Sequence, residues 1–269
     1  MKISAELQQQ FASDGAVCVR QLVSREAAAD LLALLDDLIA GSDDRWTTNR
    51  LGGFSDRYLW PQMPWMRAFC AESELPKVAA KLMDSTSARL FFDHTFIRDA
   101  GTDHRTPWHQ DRPYWPFQGH QIASVWVALT ACGPGSSGLR FIKGSHAWGK
   151  VFRPIAFGKT SGSAQFLDKN DDLEEMPDFD QAGSDWEILE WDMQPGDAIV
   201  FGAEAIHGSA GNADEGRRAA ISVRYVGDDA RWDPRPGTDP IVTAEQVGIE
   251  PGDPPHDDNY FPLVWSADR

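Results

Sequence analysis

Three side chains in this sequence have the types and spacing of a metal site. His109 and Asp111 lie two positions apart in the segment Trp-His-Gln-Asp, and His207 follows much further along the chain. Two imidazoles and one carboxylate are the ligands that hold one face of a ferrous ion and leave further positions open for oxygen chemistry. A closed structural zinc site would usually supply four ligands, often thiolates. We therefore predict an open iron centre formed by His109, Asp111 and His207.

The spacing of the first two ligands fits a β-strand. Successive side chains of a strand point to opposite faces, so positions two apart point the same way. His109 and Asp111 then reach one ion while Gln110 points elsewhere, and His207 must come from a neighbouring strand. A lone His-x-Asp pair is a weak signal that many chains contain by chance. The prediction therefore depends on His207 and on the residues that follow it.

Arg218 is predicted to start the next strand, on which positions 218, 220 and 222 share one face. Ala220 and Ser222 are small and leave space for a ligand on that face. A guanidinium binds a carboxylate through two hydrogen bonds, which lysine does less well. We predict that Arg218 grips a carboxylate of an organic co-substrate, that Ser209 adds a hydroxyl to it, and that Arg217 points into solvent.

The rest of the chain predicts helices first and short strands afterwards. Helical patterns cover residues 5–12, 24–41 and 74–84, the second with Ser24 as its N-cap and Gly41 as its stop. Strand patterns cover residues 16–22, 88–97, 122–130, 138–143, 197–201 and 219–226. We predict that residues 42–66 are irregular and partly substrate-facing. The expected fold is mainly β, a sandwich or barrel with helices packed on its outside.

The length of 269 residues suits one domain. We expect a helical N-terminal part over about 1–86, a β-core over about 87–230 and a C-terminal tail over 231–269, of which the segment 233–255 wraps the surface. The acidic stretch 159–186 is either a mobile lid or a surface insertion. The 11 Trp and 14 Phe mostly predict core packing. Four aromatic residues near the metal motif could instead line a pocket: Trp108, Tyr114, Trp115 and Phe117. Trp46, Arg57 and Trp60 could join them from the N-terminal part.

The formal net charge of −16 argues against nucleic acid or an anionic membrane as a partner. It slightly favours a neutral or cationic small-molecule substrate. Cys18, Cys70 and Cys132 lie far apart without a CxxC motif, which is typical of a reducing compartment. The N-terminus lacks the apolar core of a signal peptide. We expect a soluble cytoplasmic protein, and no pattern indicates its oligomeric state.

Five segments of the chain resemble the phytanoyl-CoA dioxygenase family of iron(II)- and 2-oxoglutarate-dependent oxygenases: FASDGAVCVRQLVSREAAADLL, WHQDRPYWPF, SVWVAL, GLRFIKGSH and HGSAGNADEGRRAAIS. The resemblance implies a double-stranded β-helix, a jelly roll of the cupin kind, with flanking helices. It implies that His109, Asp111 and His207 bind iron. Arg218 then pairs with the distal carboxylate of 2-oxoglutarate, Ser209 lies beside it, and Trp126 lines the co-substrate pocket.

Two positions depart from the family pattern. Lys143 stands where many members have proline before Gly-Ser-His, which concerns the turn rather than the chemistry. A lysine–proline segment common upstream of the iron motif reads Arg98-Asp99-Ala100 here, so a ligand contact from that stretch is not carried over. His146, in the Gly-Ser-His turn, is predicted to be structural.

The resemblance implies an enzyme that uses dioxygen and 2-oxoglutarate to hydroxylate a small organic molecule, with release of succinate and CO2. Asp111 fills the position that a halide would need, so hydroxylation is expected rather than halogenation. Two alternatives remain open. A cupin-like metal dioxygenase or isomerase would use the same ligands without 2-oxoglutarate and would not need Arg218. A non-catalytic β-sandwich binding protein would keep the metal site but consume no oxygen.

Overall fold

The computed structural model of the chain describes residues 3–41, 53–155, 173–181, 185–238 and 242–268. Its helices are α1 (Ala5–Asp14), α2 (Arg25–Ala40), α3 (Pro64–Glu72), α4 (Leu75–Leu82) and α5 (Ala244–Val247). Its strands are β1 (Ala16–Val19), β2 (Gly53–Arg57), β3 (Ser87–Arg98), β4 (Thr106–His109), β5 (Phe117–Gln118), β6 (Ile122–Ala128), β7 (Leu139–Ile142), β8 (Ile188–Glu190), β9 (Ala198–Gly202), β10 (His207–Ser209), β11 (Arg218–Val226), β12 (Arg231–Trp232) and β13 (Leu263–Ser266). Short 3-10 helices cover Arg112–Tyr114 and Ser145–Ala147.

Two antiparallel sheets carry the site. The larger has the order β1-β9-β6-β11-β3-β13, with β2 also paired to β3, and the smaller has the order β4-β10-β7-β8. The chain alternates between them: β9 and β11 lie in the larger sheet, and β10, between them in sequence, lies in the smaller. This winding is that of a double-stranded β-helix, and the predicted fold class is confirmed.

The central strands of the larger sheet are buried on both faces, as β6 illustrates. Because strand side chains alternate, Val125 and Val127 pack on the helices around Leu35, whereas Trp126 packs with Phe141 of the smaller sheet. A strand of this kind separates a helical layer from the space between the two sheets. The site lies in that space.

The first helices follow their local signals. The side chain of Ser24 caps α2 by accepting a hydrogen bond from the Ala27 N–H at 3.0 Å. Ser4 caps α1 in the same way, and Gly15 ends that helix with a φ of 82°. The capping residue satisfies one of the backbone donors left unpaired at a helix start. The predictions for these helices are confirmed.

The prediction that residues 42–66 are irregular is wrong for 53–57 and from 64 onward, whereas 58–63 are irregular as predicted. Gly53–Arg57 forms β2 along the edge of β3, and α3 already begins at Pro64. Phe54 is the one large apolar residue of β2, so the segment shows no amphipathic pattern. Its ladder with β3 supplies the hydrogen bonds that define the strand, and that pairing is a tertiary contact. Residues 42–52, including Trp46, lie outside the described residues.

The C-terminal tail enters the core, and the prediction that its segment 233–255 wraps the surface is wrong for Val242, Val247 and Ile249, which are buried. Phe261 is fully buried against Phe91, Phe117 and Trp232 in a second aromatic cluster. Beyond it, β13 pairs with β3 at the edge of the larger sheet. Because prolines and acids dominate the tail, no pattern in the sequence predicted the burial of Trp232 and Phe261.

Most of the acidic stretch 159–186 lies outside the described residues, so the choice between lid and insertion stays a prediction. No helix of the described part has both the length and the apolar character to cross a membrane.

Candidate metal centre

The two candidate histidine ligands come from neighbouring strands, as predicted. His109 is the last residue of β4 and His207 the first of β10, and they stand directly opposite each other in the antiparallel ladder. Opposite residues of a ladder point to the same face. The two ring centroids are 4.1 Å apart.

The strand explanation for the His109–Asp111 spacing is wrong. Strand β4 ends at His109, and Asp111 has helical dihedral angles (φ −74°, ψ −31°) just before the 3-10 helix that starts at Arg112. The Arg112 N–H donates to Ala203 O at 2.9 Å and fixes this turn. The turn, rather than strand alternation, brings the Asp111 carboxylate to the histidines. Its Oδ1 lies 3.6 Å from His109 Nε2 and 4.0 Å from His207 Nε2.

The three side chains fit a metal ion with open positions. One donor atom from each lies within 4.8 Å of the other two, and all three residues are buried. His109 Nδ1 lies 2.9 Å from Pro107 O, and His207 Nδ1 lies 3.0 Å from Ala205 O. When Nδ1 donates to a carbonyl, Nε2 is left as a ligand in a fixed orientation. Three ligands of this set suit iron(II) and leave room for further ligands.

The charge states at this site suit metal binding at neutral pH. Burial raises the pKa of Asp111, but the nearby His109, His207 and Arg224 outweigh burial and lower that pKa to about 2. Burial and the neighbouring His109 lower the pKa of His207 to about 3. An ionised carboxylate and a neutral imidazole are the forms that bind metals.

Gln110 points away from the two ligands, as predicted, and holds the surrounding chain. Its Nε2 donates to Lys150 O and Glu204 O, both at 2.9 Å, and its Oε1 accepts from the Phe152 N–H at 2.9 Å. All three bonds are to backbone groups from segments far away in sequence. The hydrogen bonds of this buried side-chain amide therefore fix the turn between His109 and Asp111 to two other loops.

Arg218 is a buried cation with unused hydrogen-bonding capacity. It is 3% exposed and donates to Ser137 Oγ at 3.0 Å and to Phe96 O at 3.4 Å, while its Nε has no partner. Within the described residues no carboxylate pairs with it. Its Cζ lies 5.7 Å from the centroid of the Trp126 ring. Burial lowers its pKa to about 9, so it stays charged at neutral pH and is suited to an anionic ligand.

Ser209 is connected to Arg218 through Ser137, a residue that the sequence did not predict to be part of the site. Ser137 is fully buried, its Oγ lies 3.5 Å from Ser209 Oγ, and it accepts the Arg218 hydrogen bond. Its φ of 60° lies in the left-handed region, where a non-glycine residue is strained and is often found at functional sites. The Gly-Pro-Gly-Ser-Ser-Gly run around it was the only signal in the sequence.

Two other arginines, the half-buried Arg98 and the buried Arg224, were also missed as site residues. Arg98 stands opposite Arg218 in the β3–β11 ladder and donates to Thr106 Oγ1 at 3.3 Å. Burial lowers its pKa. Arg224 lies further along β11. Neither belongs to a motif, because their places depend on strand pairing.

Of the remaining predictions, some are confirmed and others are wrong. His146 Nε2 lies 3.1 Å from Ala12 O, which is the structural role predicted for it, and Arg217 pairs with Asp36 on the surface. Phe117 and Trp60 are core residues, and the pocket that Trp60 lines together with Arg67 does not include the metal ligands. Trp115 is buried within 5.9 Å of the Arg224 guanidinium, beside the site.

Several solved structures share this fold over nearly the whole chain. The carbocyclase SnoK from nogalamycin biosynthesis, described as non-heme and alpha-ketoglutarate-dependent, matches with a TM-score of 0.74 at 18% identity, over 97% of this chain and 96% of its own. The epimerase SnoN in complex with Fe3+, alpha-ketoglutarate and nogalamycin RO matches with a TM-score of 0.71 at 20% identity, over 96% and 97%. EctD from S. alaskensis with 2-oxoglutarate and 5-hydroxyectoine gives 0.70 at 20% identity, over 94% and 85%.

Sequence relatives point the same way. A probable phytanoyl-CoA dioxygenase of Caenorhabditis elegans is 28% identical over 191 residues, which are 68% of this chain and 58% of that protein. The peroxisomal phytanoyl-CoA dioxygenase of Homo sapiens is 25% identical over 182 residues, 65% of this chain and 51% of that protein. The chain thus spans little more than half the length of these relatives. The family profile described as phytanoyl-CoA dioxygenase (PhyH) matches residues 11–220. The chain belongs to the phytanoyl-CoA dioxygenase family.

Proposed function

We propose that the chain is an iron(II)- and 2-oxoglutarate-dependent oxygenase that hydroxylates a small organic molecule and releases succinate and CO2. The observation that carries the proposal is the convergence of His109, Asp111 and His207 within 4.8 Å. Membership of the phytanoyl-CoA dioxygenase family supports it. In this proposal the three residues hold iron. Bound iron, 2-oxoglutarate and dioxygen supply the oxidising chemistry.

The other residues of the proposed site bind and orient the co-substrate. Arg218 offers a buried cation and a free Nε–H to the distal carboxylate, and Ser137 and Ser209 add hydroxyls beside it. Trp126 forms an apolar wall next to the same guanidinium. An interior that excludes water strengthens these electrostatic contacts. No protein acid or base is needed in this scheme, so none is assigned.

We also propose that the whole chain forms one oxygenase domain. Its support is that β1, near the N-terminus, and β13, near the C-terminus, both join the sheet that carries Arg218. We propose the cytoplasm as its compartment, because all three cysteines are unpaired, with Cys70 and Cys132 buried.

The proposed activity is tested by adding ferrous ion and 2-oxoglutarate to the purified protein and following succinate release by mass spectrometry across a panel of candidate metabolites. We expect slow succinate formation without substrate and faster formation with the right one. Oxygen consumption without succinate would favour a dioxygenase that does not use 2-oxoglutarate. Neither oxygen uptake nor succinate would favour a binding protein.

Asp111→Ala tests the metal centre directly. Removal of one of three ligands should weaken ferrous ion binding by more than about 100-fold, beyond what loss of a supporting residue causes. Anaerobic equilibrium dialysis measures the binding, and succinate release should fall with it. The matched control is Asp36→Ala, which removes a surface carboxylate and should leave both unchanged. Full turnover by Asp111→Ala would remove Asp111 from the site.

A further inference from the structure

The inner face of β11 carries a second arginine that the proposed chemistry does not use. Arg224 points to the same side of the strand as Arg218, because the two are an even number of residues apart, and it is 5% exposed. Six residues of strand span about 20 Å. Both arginines therefore belong to one face, at positions too far apart to bind the same carboxylate.

Aromatic rings surround the Arg224 guanidinium. Its Cζ lies 4.6 Å from the ring centroid of Phe92 and 5.9 Å from those of Phe96 and Trp115. Such rings attract a cation through their faces and exclude water from around it. They leave the guanidinium little chance to gain hydrogen bonds from solvent.

The guanidinium is also poorly satisfied by the protein. Its one hydrogen bond goes from Nη1 to Ser222 O at 3.0 Å, and its Nε has no partner. In the described part of the chain, no carboxylate forms an ion pair with Arg224. The hydroxyl of Ser222, on the same face of β11, is buried and lacks a partner as well. Two adjacent polar side chains on one face thus have unused capacity, which a ligand could fill.

Arg224 lies on the Asp111 side of the metal centre. Its partner across the β6–β11 ladder is Ser124, and the Ser124 hydroxyl lies 3.5 Å from Asp111 Oδ2. The Arg224 charge also helps to lower the pKa of Asp111, whereas the charge that lowers the pKa of Arg218 is that of Arg98. Arg218 and Arg224 therefore flank different sides of the site.

A count of the charges at the proposed site distinguishes the role of Arg224 from that of Arg218. In the proposed function, the two positive charges of iron and that of Arg218 are matched by Asp111 and the two carboxylates of 2-oxoglutarate. The carboxylates whose charges act on Arg224 are Asp111 and Asp93; Asp93 is already held by two backbone N–H groups, and neither carboxylate forms an ion pair with Arg224. A buried charge is costly unless it is paired, so a functional anion is expected opposite it.

We propose that Arg224 binds a carboxylate of the substrate, with Ser222 as a second donor, and that the substrate is a small organic acid whose apolar body lies against Phe92, Phe96 and Trp115. This inference rests on the proposed function and narrows its substrate class. It runs against the simple expectation from net charge, because the acidic residues that set that charge are mostly exposed while this face presents arginines.

The test uses the full-length protein, loaded anaerobically with ferrous ion and 2-oxoglutarate. Calorimetry compares benzoate, phenylacetate and cyclohexanecarboxylate with their uncharged primary amides. We expect the wild-type protein to bind at least one acid more tightly than its amide. Arg224→Met should weaken the binding of that acid by about 30-fold or more. It should leave the affinities for the amide and for 2-oxoglutarate within about two-fold of the wild-type values. Arg224→Lys should retain part of the preference, and Arg217→Met should change nothing.

A stability measurement separates recognition from a structural role. Without ligands, Arg224→Met should raise the melting temperature, because an unpaired buried charge is removed, whereas a structural arginine would lower it on removal. The proposal is overturned if no acid binds more tightly than its amide. It is also overturned if Arg224→Met lowers the melting temperature or weakens the binding of 2-oxoglutarate. Failure of 2-oxoglutarate to bind the wild-type protein would instead refute the proposed function itself.

Discussion

His109 and His207 are oriented by the same local device. Each directs Nδ1 to the carbonyl of the residue two positions earlier, Pro107 or Ala205. Because the device is local, each ring keeps its Nε2 toward the site without help from a distant side chain. Arg218 is the opposite case, since it depends on Ser137 and Phe96 from other strands or loops.

At this scale, Arg218→Ala should raise the 2-oxoglutarate concentration needed for half-maximal succinate release. Loss of a buried, charged contact of this kind costs about 2–5 kcal/mol, or about 30-fold or more in binding. Arg217→Ala, which removes the surface neighbour paired with Asp36, should leave the requirement unchanged. An equal effect of the two substitutions would contradict the role given to Arg218.

Ser137→Gly separates the hydroxyl of Ser137 from its strained backbone. Glycine adopts a φ of 60° without strain, so the loop should keep its shape while Arg218 loses an acceptor. We expect affinity for 2-oxoglutarate to fall about 10- to 100-fold, the range for one hydrogen bond to a charged group, with the melting temperature kept or raised. Unchanged affinity, measured by calorimetry, would mean that the hydroxyl does not support Arg218.

At the scale of elements, the site depends on how closely β10 approaches β4. A Cβ atom placed on Gly208 would lie 2.9 Å from Thr106 O and 3.3 Å from the Trp108 nitrogen. The close contact needed here is with the backbone of β4, which holds His207 opposite His109. Glycine at this position therefore sets the distance between the two ligand strands.

Gly208→Ala should push β10 away from β4 and weaken metal binding. We expect a 10- to 100-fold loss in affinity for ferrous ion, comparable with the loss of a supporting residue, with little change in secondary structure. Gly202→Ala is the matched control, because a Cβ there meets nothing within 4 Å. The close-approach argument would be wrong if both variants bound metal like the wild type.

At the scale of the whole molecule, β3 and β11 join the site to the helical layer. The outer face of β3 carries Asp93, which is fully buried and accepts hydrogen bonds from the Leu59 N–H at 3.1 Å and the Trp60 N–H at 2.8 Å. On β11, the Tyr225 hydroxyl donates to Cys70 O in α3 at 2.6 Å. These contacts tie the segment before α3, and α3 itself, to the sheet.

Asp93 should make the stability of the molecule depend on pH. Burial raises its pKa from 3.8 to about 6, despite the backbone hydrogen bonds. The folded state then holds this proton more tightly than the unfolded state, so stability falls as pH rises between about 4 and 6, by up to about 1.4 kcal/mol per pH unit. Urea unfolding should show that Asp93→Asn loses less stability than the wild type over this window. Parallel curves would contradict the prediction.

The sequence by itself determined the donor set and the parts of the fold with local signals. Metal preference depends on residue type, so two histidines and one aspartate indicated the chemistry before their arrangement was known. Helix α2 was readable because Ser24 and Gly41 mark its ends, and the ladder partner of His109 was readable because a third ligand had to come from another strand.

The tertiary structure decided the rest, because those features arise from pairing between distant segments. The turn that delivers Asp111 is held by Ala203, and the strand β2 exists through its ladder with β3. The same holds for the support that Ser137 gives Arg218. Whether an arginine is a surface charge or a buried ligand for an anion depends on which strands enclose it, and no local pattern records that for Arg98 or Arg224.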